Sequence, residues 1–151
     1  MGIKEKYQEL SKKYKLPSFN DIDNEFEIST IEEDAFLLRE IRRKIAERIE
    51  CYTDILENVL NPESLTNMLE ARIFDDNERN EIFKINQKLM FLSRLSVEIS
   101  IGEDDKKSSD YINQVFSEWD GIKKQYLKFI RKIKDSWTKE TDGKEELKYM
   151  G

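Results

Sequence analysis

Residues 31–60 read IEEDAFLLREIRRKIAERIECYTDILENVL, and this stretch decides the fold. Its apolar residues recur at steps of three and four, which places them on one face of a helix; they are Leu38, Ile41, Ile45, Ile49, Tyr52, Leu56 and Val59. The charged residues between them form the solvated side, namely Arg39, Glu40, Arg42, Arg43, Lys44, Glu47, Arg48 and Glu50. Ser29 and Glu32 match a capping box that would start this helix, and Pro62 would end it.

The same periodicity predicts two further long helices. The first opens at a capping box formed by Asp75 and Glu78 and ends at Gly102. Its apolar face is widened by Phe83, Met90, Phe91 and Val97, so we expect this helix to be the most buried one. The second follows a cap at Ser109 and carries the most regular apolar seam of the chain, which is Ile112, Val115, Trp119, Ile122, Tyr126, Phe129 and Ile133.

Shorter apolar patterns predict two accessory helices. One covers residues 2–15, and the other opens at Asn61-Pro62 and carries Leu65, Met68, Leu69 and Ile73. A thirty-residue helix is about 45 Å long, so its partners must be long as well. The sequence therefore predicts an all-α fold: an elongated antiparallel bundle of three long helices with two shorter accessory helices. We predict one bundle domain at residues 1–139, with a connector at 18–29, and a frayed tail at 140–151.

The amino-acid composition excludes several classes of enzyme and metal site. The 151 residues carry a formal net charge of -6, contain no histidine and hold a single cysteine, Cys51. The absence of histidine excludes Ser-His-Asp and Cys-His catalysis and zinc sites of the usual type. No glycine-rich phosphate loop or cofactor motif is present, so we predict a protein that is not an enzyme and has no metal or cofactor. We expect Cys51 to be a buried, inert thiol.

The lengths of the apolar runs in the sequence indicate where in the cell the protein is located. No apolar run approaches the roughly 20 residues that a membrane span needs, and the N-terminus lacks the apolar core of a signal peptide. We therefore expect a cytoplasmic protein with no membrane association.

One cluster of bases stands out on the last long helix. Six basic residues follow one another with no acid between them until Asp135, and on the heptad they take outer positions: Lys123, Lys124, Lys128, Arg131, Lys132 and Lys134. We call this set the basic stripe. It is either a solvated helix face or an anion-binding surface for RNA phosphates or an acidic protein.

The connector at 18–29 is acidic and aromatic at once. Its alternating residues, which we call the acidic strap, are Phe19, Asp21, Asp23, Glu25, Phe26 and Glu27. One interpretation is a segment that lays its aromatic side chains on the bundle and keeps its acids in water. The other is a docking surface for a basic partner.

Two functional hypotheses follow. The first is a non-enzymatic helical interaction module or adaptor that binds a protein partner. The alternative is an RNA-associated accessory protein that contacts phosphates through the basic stripe without reading sequence. A homo-oligomer is compatible with both hypotheses.

Overall fold

In the computed structural model, which describes residues 2–138, the chain forms α-helices and one short 3₁₀ helix, and this part of the chain contains no strand. The three long helices pack together, which confirms the predicted all-α class. The helices are α1 (Ile3–Tyr14), α2 (Phe19–Phe26), α3 (Leu37–Leu60), α4 (Leu65–Ala71), α5 (Asp76–Gly102) and α6 (Asp105–Ser136), with the 3₁₀ helix at Ile28–Thr30. The short helices number three among the described residues, because the predicted connector contains α2.

The chain divides into two compact units, of which the first comprises Met1–Cys51 and Met90–Asp120. In this unit the Tyr7 hydroxyl donates a hydrogen bond to the Pro17 carbonyl at 2.6 Å. The ring of Phe26 lies 5.0 Å from that of Trp119. The inner faces of its helices supply further buried side chains, namely Ile22, Leu38, Ile41, Ile45, Ile49, Leu92, Ile99, Ile112 and Val115. Apart from Ile22, which belongs to the predicted connector, they are positions that the three- and four-residue spacing predicts.

The second unit comprises Tyr52–Leu89 and Gly121–Gly151. The rings of Tyr52 and Tyr126 are stacked with their centroids 3.9 Å apart. Its buried aliphatic and aromatic residues are Leu56, Val59, Phe74, Ile82, Ile85, Leu89, Ile122, Phe129 and Ile133. Helix α6 continues through Gly121 without a break, and an added Cβ there would meet no atom within 4 Å.

The predicted start of the first long helix is wrong. Helix α3 begins at Leu37 instead. Glu27 adopts a left-handed conformation (φ 55) that ends α2, and a 3₁₀ helix at Ile28–Thr30 follows. The backbone N–H of Ser29 donates to the Asp23 carboxylate at 2.7 Å, so Ser29 does not cap α3. Ile28 and Ile31 are buried, which holds this segment on the core instead of in the first turns of the helix.

Two other helix starts also differ from the prediction. Helix α4 begins after Ser64, whose side chain accepts from Asn67 N–H at 3.1 Å, and not at Asn61-Pro62. Helix α6 begins at Asp105, and Ser109 is buried inside it.

The predicted capping box of α5 is confirmed. The N–H of Asp75 donates to the Glu78 carboxylate at 3.1 Å, and the N–H of Glu78 donates to the Asp75 carboxylate at 2.8 Å. Helix α5 ends at Gly102 as predicted, and the next residue, Glu103, is the left-handed one (φ 46). The predicted domain over residues 1–139 stays a prediction, and the tail at 140–151 lies outside the described residues.

Candidate interaction surface

The aromatic residues of the acidic strap pack against the protein. Helix α2 turns Ile22 and Phe26 into the core, where Phe26 meets Trp119. Phe19 is half-buried and makes an edge contact with the ring of Tyr7, with 5.7 Å between centroids. These side chains anchor the connector to the first unit.

Most acids of the strap also have partners inside the first unit. Asp23 accepts from the backbone of Ser29, and Glu25 accepts from the indole N–H of Trp119 at 3.1 Å. The carboxylate of Glu27 lies 3.7 Å from Arg48, and Asp21 is exposed. The hydrogen bonds of Asp23 and Glu25 hold α2 in place, which accounts for acids at these positions without an external ligand.

The basic stripe lies on the second half of α6, and two of its lysines pair with α5. The ammonium of Lys128 lies 3.2 Å from Glu81, and that of Lys132 lies 2.7 Å from Glu78. The hydrogen bond from Lys132, together with the backbone N–H of Asp75, holds the pKa of Glu78 below its ordinary value. A phosphate would have to displace these glutamates in order to reach the two lysines.

The other four bases do not form one row. Successive helix positions differ by about 100° in direction, so the stripe spreads over the whole outer half of α6. Lys134 lies 3.3 Å from Asp135, and Lys123 and Lys124 interact with other residues of the protein. Within residues 2–138, Arg131 is exposed and has no ion pair.

A buried arginine, which the sequence assigned to the solvated side, connects the three long helices in the first unit. The side chain of Arg42 is 2 % exposed. Its guanidinium donates to the carbonyl and hydroxyl of Ser96, both at 2.8 Å, and to the Ser108 hydroxyl at 3.3 Å. It also donates to both oxygens of Glu103 at 3.1 and 3.2 Å, and Arg39 reaches the same carboxylate at 2.8 Å.

This arginine network satisfies its own charges. The donors of Arg42 point to protein acceptors, and Glu103 sits between guanidinium groups. Nearby, burial raises the pKa of the Tyr111 hydroxyl above its ordinary value. The arrangement is that of a hydrogen-bonded polar contact in the core, which links α3 to α5 and α6 in the first unit.

The only cysteine, Cys51, is exposed, so the prediction of a buried thiol is wrong. Cys51 lies two positions after the buried Ile49 on α3. At about 100° per residue it therefore points to the side of the helix opposite Ile49. Among residues 2–138, no group of three or more His, Cys, Asp or Glu side chains could hold a metal ion.

The second half of α5 exposes an apolar surface, which we call the α5 outer face and define by Met90, Phe91, Val97 and Ile101. Phe91 is 61 % exposed, Val97 53 % and Ile101 84 %, and Met90 is partly exposed. The prediction that Phe91 and Val97 widen the buried face is therefore wrong, as it is for Phe83, which is 49 % exposed. The helix is apolar on two sides, and periodicity does not say which side packs.

Two opposite charges lie beside these apolar side chains. Arg94 and Glu98 are exposed, four residues apart on the same side of α5. Neither forms an ion pair with a residue between 2 and 138; the nearest polar contact of Arg94 is the Ser93 hydroxyl at 3.4 Å. The α5 outer face thus combines unburied apolar area with charges that have no opposite charge in contact.

Comparison with known proteins found no matching family model, no matching curated protein and no matching solved structure. A search of the described helices for a segment long and apolar enough to cross a membrane found none.

Proposed function

We propose that this protein is a non-enzymatic helical interaction module, located in the cytoplasm, that binds a protein partner through the α5 outer face. The observation that carries the proposal is the exposure of Phe91, Val97 and Ile101 on one helix. Large apolar side chains that the fold leaves in water on one side of a helix are typical of a protein–protein contact.

The arrangement of apolar and charged side chains on this surface matches the binding of an amphipathic helix from the partner. The apolar side chains and the two charges occupy an arc of about 120° along less than four turns of α5. An amphipathic helix laid along this arc would cover Val97 and Ile101 and bring its own charges to Arg94 and Glu98. Apolar anchors at steps of three, four and seven residues are the usual pattern of such helix-to-helix recognition.

The test is capture of partners from the source cells with matched variants. The double variant Val97→Asp/Ile101→Asp places two charges on the α5 outer face, and both positions are exposed, so folding should be unaffected within about 0.5 kcal/mol. Leu127→Asp is the control, because Leu127 is 44 % exposed on α6. We expect the control to retain its partner stoichiometrically and the double variant to lose it. Retention by both proteins would contradict the proposed docking surface.

RNA binding through the basic stripe is the second candidate, and Arg131, exposed and without an ion pair among the described residues, favours it. If it is correct, affinity must fall steeply with salt, because each neutralised phosphate releases a condensed counterion. The test compares glutamate substitutions of Lys124, Lys128 and Arg131 with glutamate substitutions of Lys4, Lys12 and Lys13. Equal weakening by both triple variants, or no binding by wild type even at about 50 mM salt, would refute the stripe as a site.

A further inference from the structure

We propose that a second copy of this chain binds the α5 outer face, so that two α5 helices pair in an antiparallel arrangement. This inference rests on the proposed function and names its partner. The evidence is that one apolar pair and one charged pair of this region, Phe91 with Ile101 and Arg94 with Glu98, are each spaced equally about one position of the helix.

The centre of symmetry is position 96. Phe91 and Ile101 lie five residues to either side of it, and Arg94 and Glu98 lie two residues to either side. In an antiparallel pair with its two-fold axis at this level, Phe91 comes level with Ile101 of the second copy. Arg94 likewise comes level with Glu98 of the second copy, and the two-fold axis makes each contact twice.

The middle of this pairing is apolar. Val97 is one residue from the centre, so with a rise of 1.5 Å per residue the two Val97 side chains are within about 3 Å of the same level. The two-fold axis is perpendicular to the plane that contains the two helices. Both Val97 side chains therefore lie on the same side of that plane. Val97 can therefore approach its own copy, and Arg94 and Glu98 point about 60° and 100° around the helix from it.

The charges select the antiparallel direction. In a parallel pair, two-fold symmetry would bring Arg94 against Arg94 and Glu98 against Glu98, and like charges at that distance repel. The antiparallel pair replaces both repulsions by opposite-charge contacts. It also provides opposite charges for two residues that have none in contact within the described part of the chain.

The area of the patch is small for a stable dimer. With the exposed fractions given above, the four apolar side chains present on the order of 400 Å² per copy. Two copies would bury about 800 Å² of apolar surface, which is below the roughly 1,200 Å² of a stable standard interface. We therefore expect a reversible dimer with a dissociation constant on the order of 100 µM.

The experiment is sedimentation equilibrium of the full chain from about 5 to 500 µM protein, with charge reversals at the two positions. We expect wild type to dimerise. Arg94→Glu and Glu98→Arg should each weaken the dimer about tenfold, because each single change creates two like-charge contacts. The double variant Arg94→Glu/Glu98→Arg should restore the wild-type constant within about threefold, because both contacts are again between opposite charges.

The single variants also test the direction. In a parallel dimer Arg94→Glu would replace one like-charge pair by another, and the double variant would not differ from the single ones. Failure of the double variant to restore association, or a wild type that stays monomeric up to about 500 µM, would overturn the proposal. The monomeric result leaves the capture experiment with Val97→Asp/Ile101→Asp as an independent measure of binding to another protein, so the two failures can be told apart.

Discussion

In the buried network of Arg42, removing the positive charge and removing the negative charge should destabilise the fold by different amounts. Arg42→Met keeps an unbranched side chain but removes the donors to Ser96, Ser108 and Glu103. Glu103 keeps Arg39 at 2.8 Å and is 21 % exposed, so its charge is not left alone. We therefore expect a loss of about 2–3 kcal/mol in unfolding free energy, at or below the lower end of the range for breaking a buried pair.

Removing the negative charge at Glu103 should lower the unfolding free energy more than removing Arg42. Glu103→Gln leaves the guanidinium of Arg42, which is 2 % exposed, without its counter-ion, so we expect about 3–5 kcal/mol. The double variant should lose less than the sum of the two by about 1–3 kcal/mol, because both changes disrupt one contact. Urea denaturation followed by far-UV circular dichroism measures all three values. A cost below about 0.5 kcal/mol for Arg42→Met, or strict additivity, would refute the coupled network.

Three substitutions and one chemical modification test other parts of the structure. Ile45→Ala and Leu92→Ala should each cost about 2–5 kcal/mol in urea denaturation, because both side chains are at most 1 % exposed; values below about 0.5 kcal/mol would contradict their burial. Glu78→Gln should cost about 0.5 kcal/mol near neutral pH. The ordinary pKa of a glutamate is 4.5, and this cost should shrink as the pH falls from that value through the lowered pKa of Glu78 in the folded protein. A cost that does not depend on pH would count against the lowered pKa. Cys51 should react fully with a thiol reagent in the native protein, whereas reaction only after denaturation would show that it is buried.

Local signals in the sequence predicted the parts of the fold that depend on neighbouring residues. The Asp75–Glu78 capping box was predicted because its reciprocal hydrogen bonds involve only one turn. The same pattern at Ser29 and Glu32 failed, because the burial of Ile28 and Ile31 is a tertiary effect that overrides the local signal. Sequence periodicity thus located the long helices more reliably than their starts.

The candidate surface could not be predicted in the same way. Phe91 and Val97 were assigned to the core because apolar spacing does not distinguish a packed face from an exposed one. Arg42 was assigned to water because its partners Ser96, Glu103 and Ser108 are distant in sequence. The basic stripe was visible as a run of bases, but the pairing of Lys128 and Lys132 with α5 depends on the packing of two helices.

The most direct test of the α5 outer face follows the methyl groups of the intact protein by nuclear magnetic resonance while its concentration is raised from about 20 to 500 µM. The account predicts that the signals of Val97 and Ile101 shift with concentration. Ile55 and Leu127, which are exposed on other helices, should not shift. Shifts confined to Ile55 and Leu127, or no change at any of the four positions, would contradict self-association through α5.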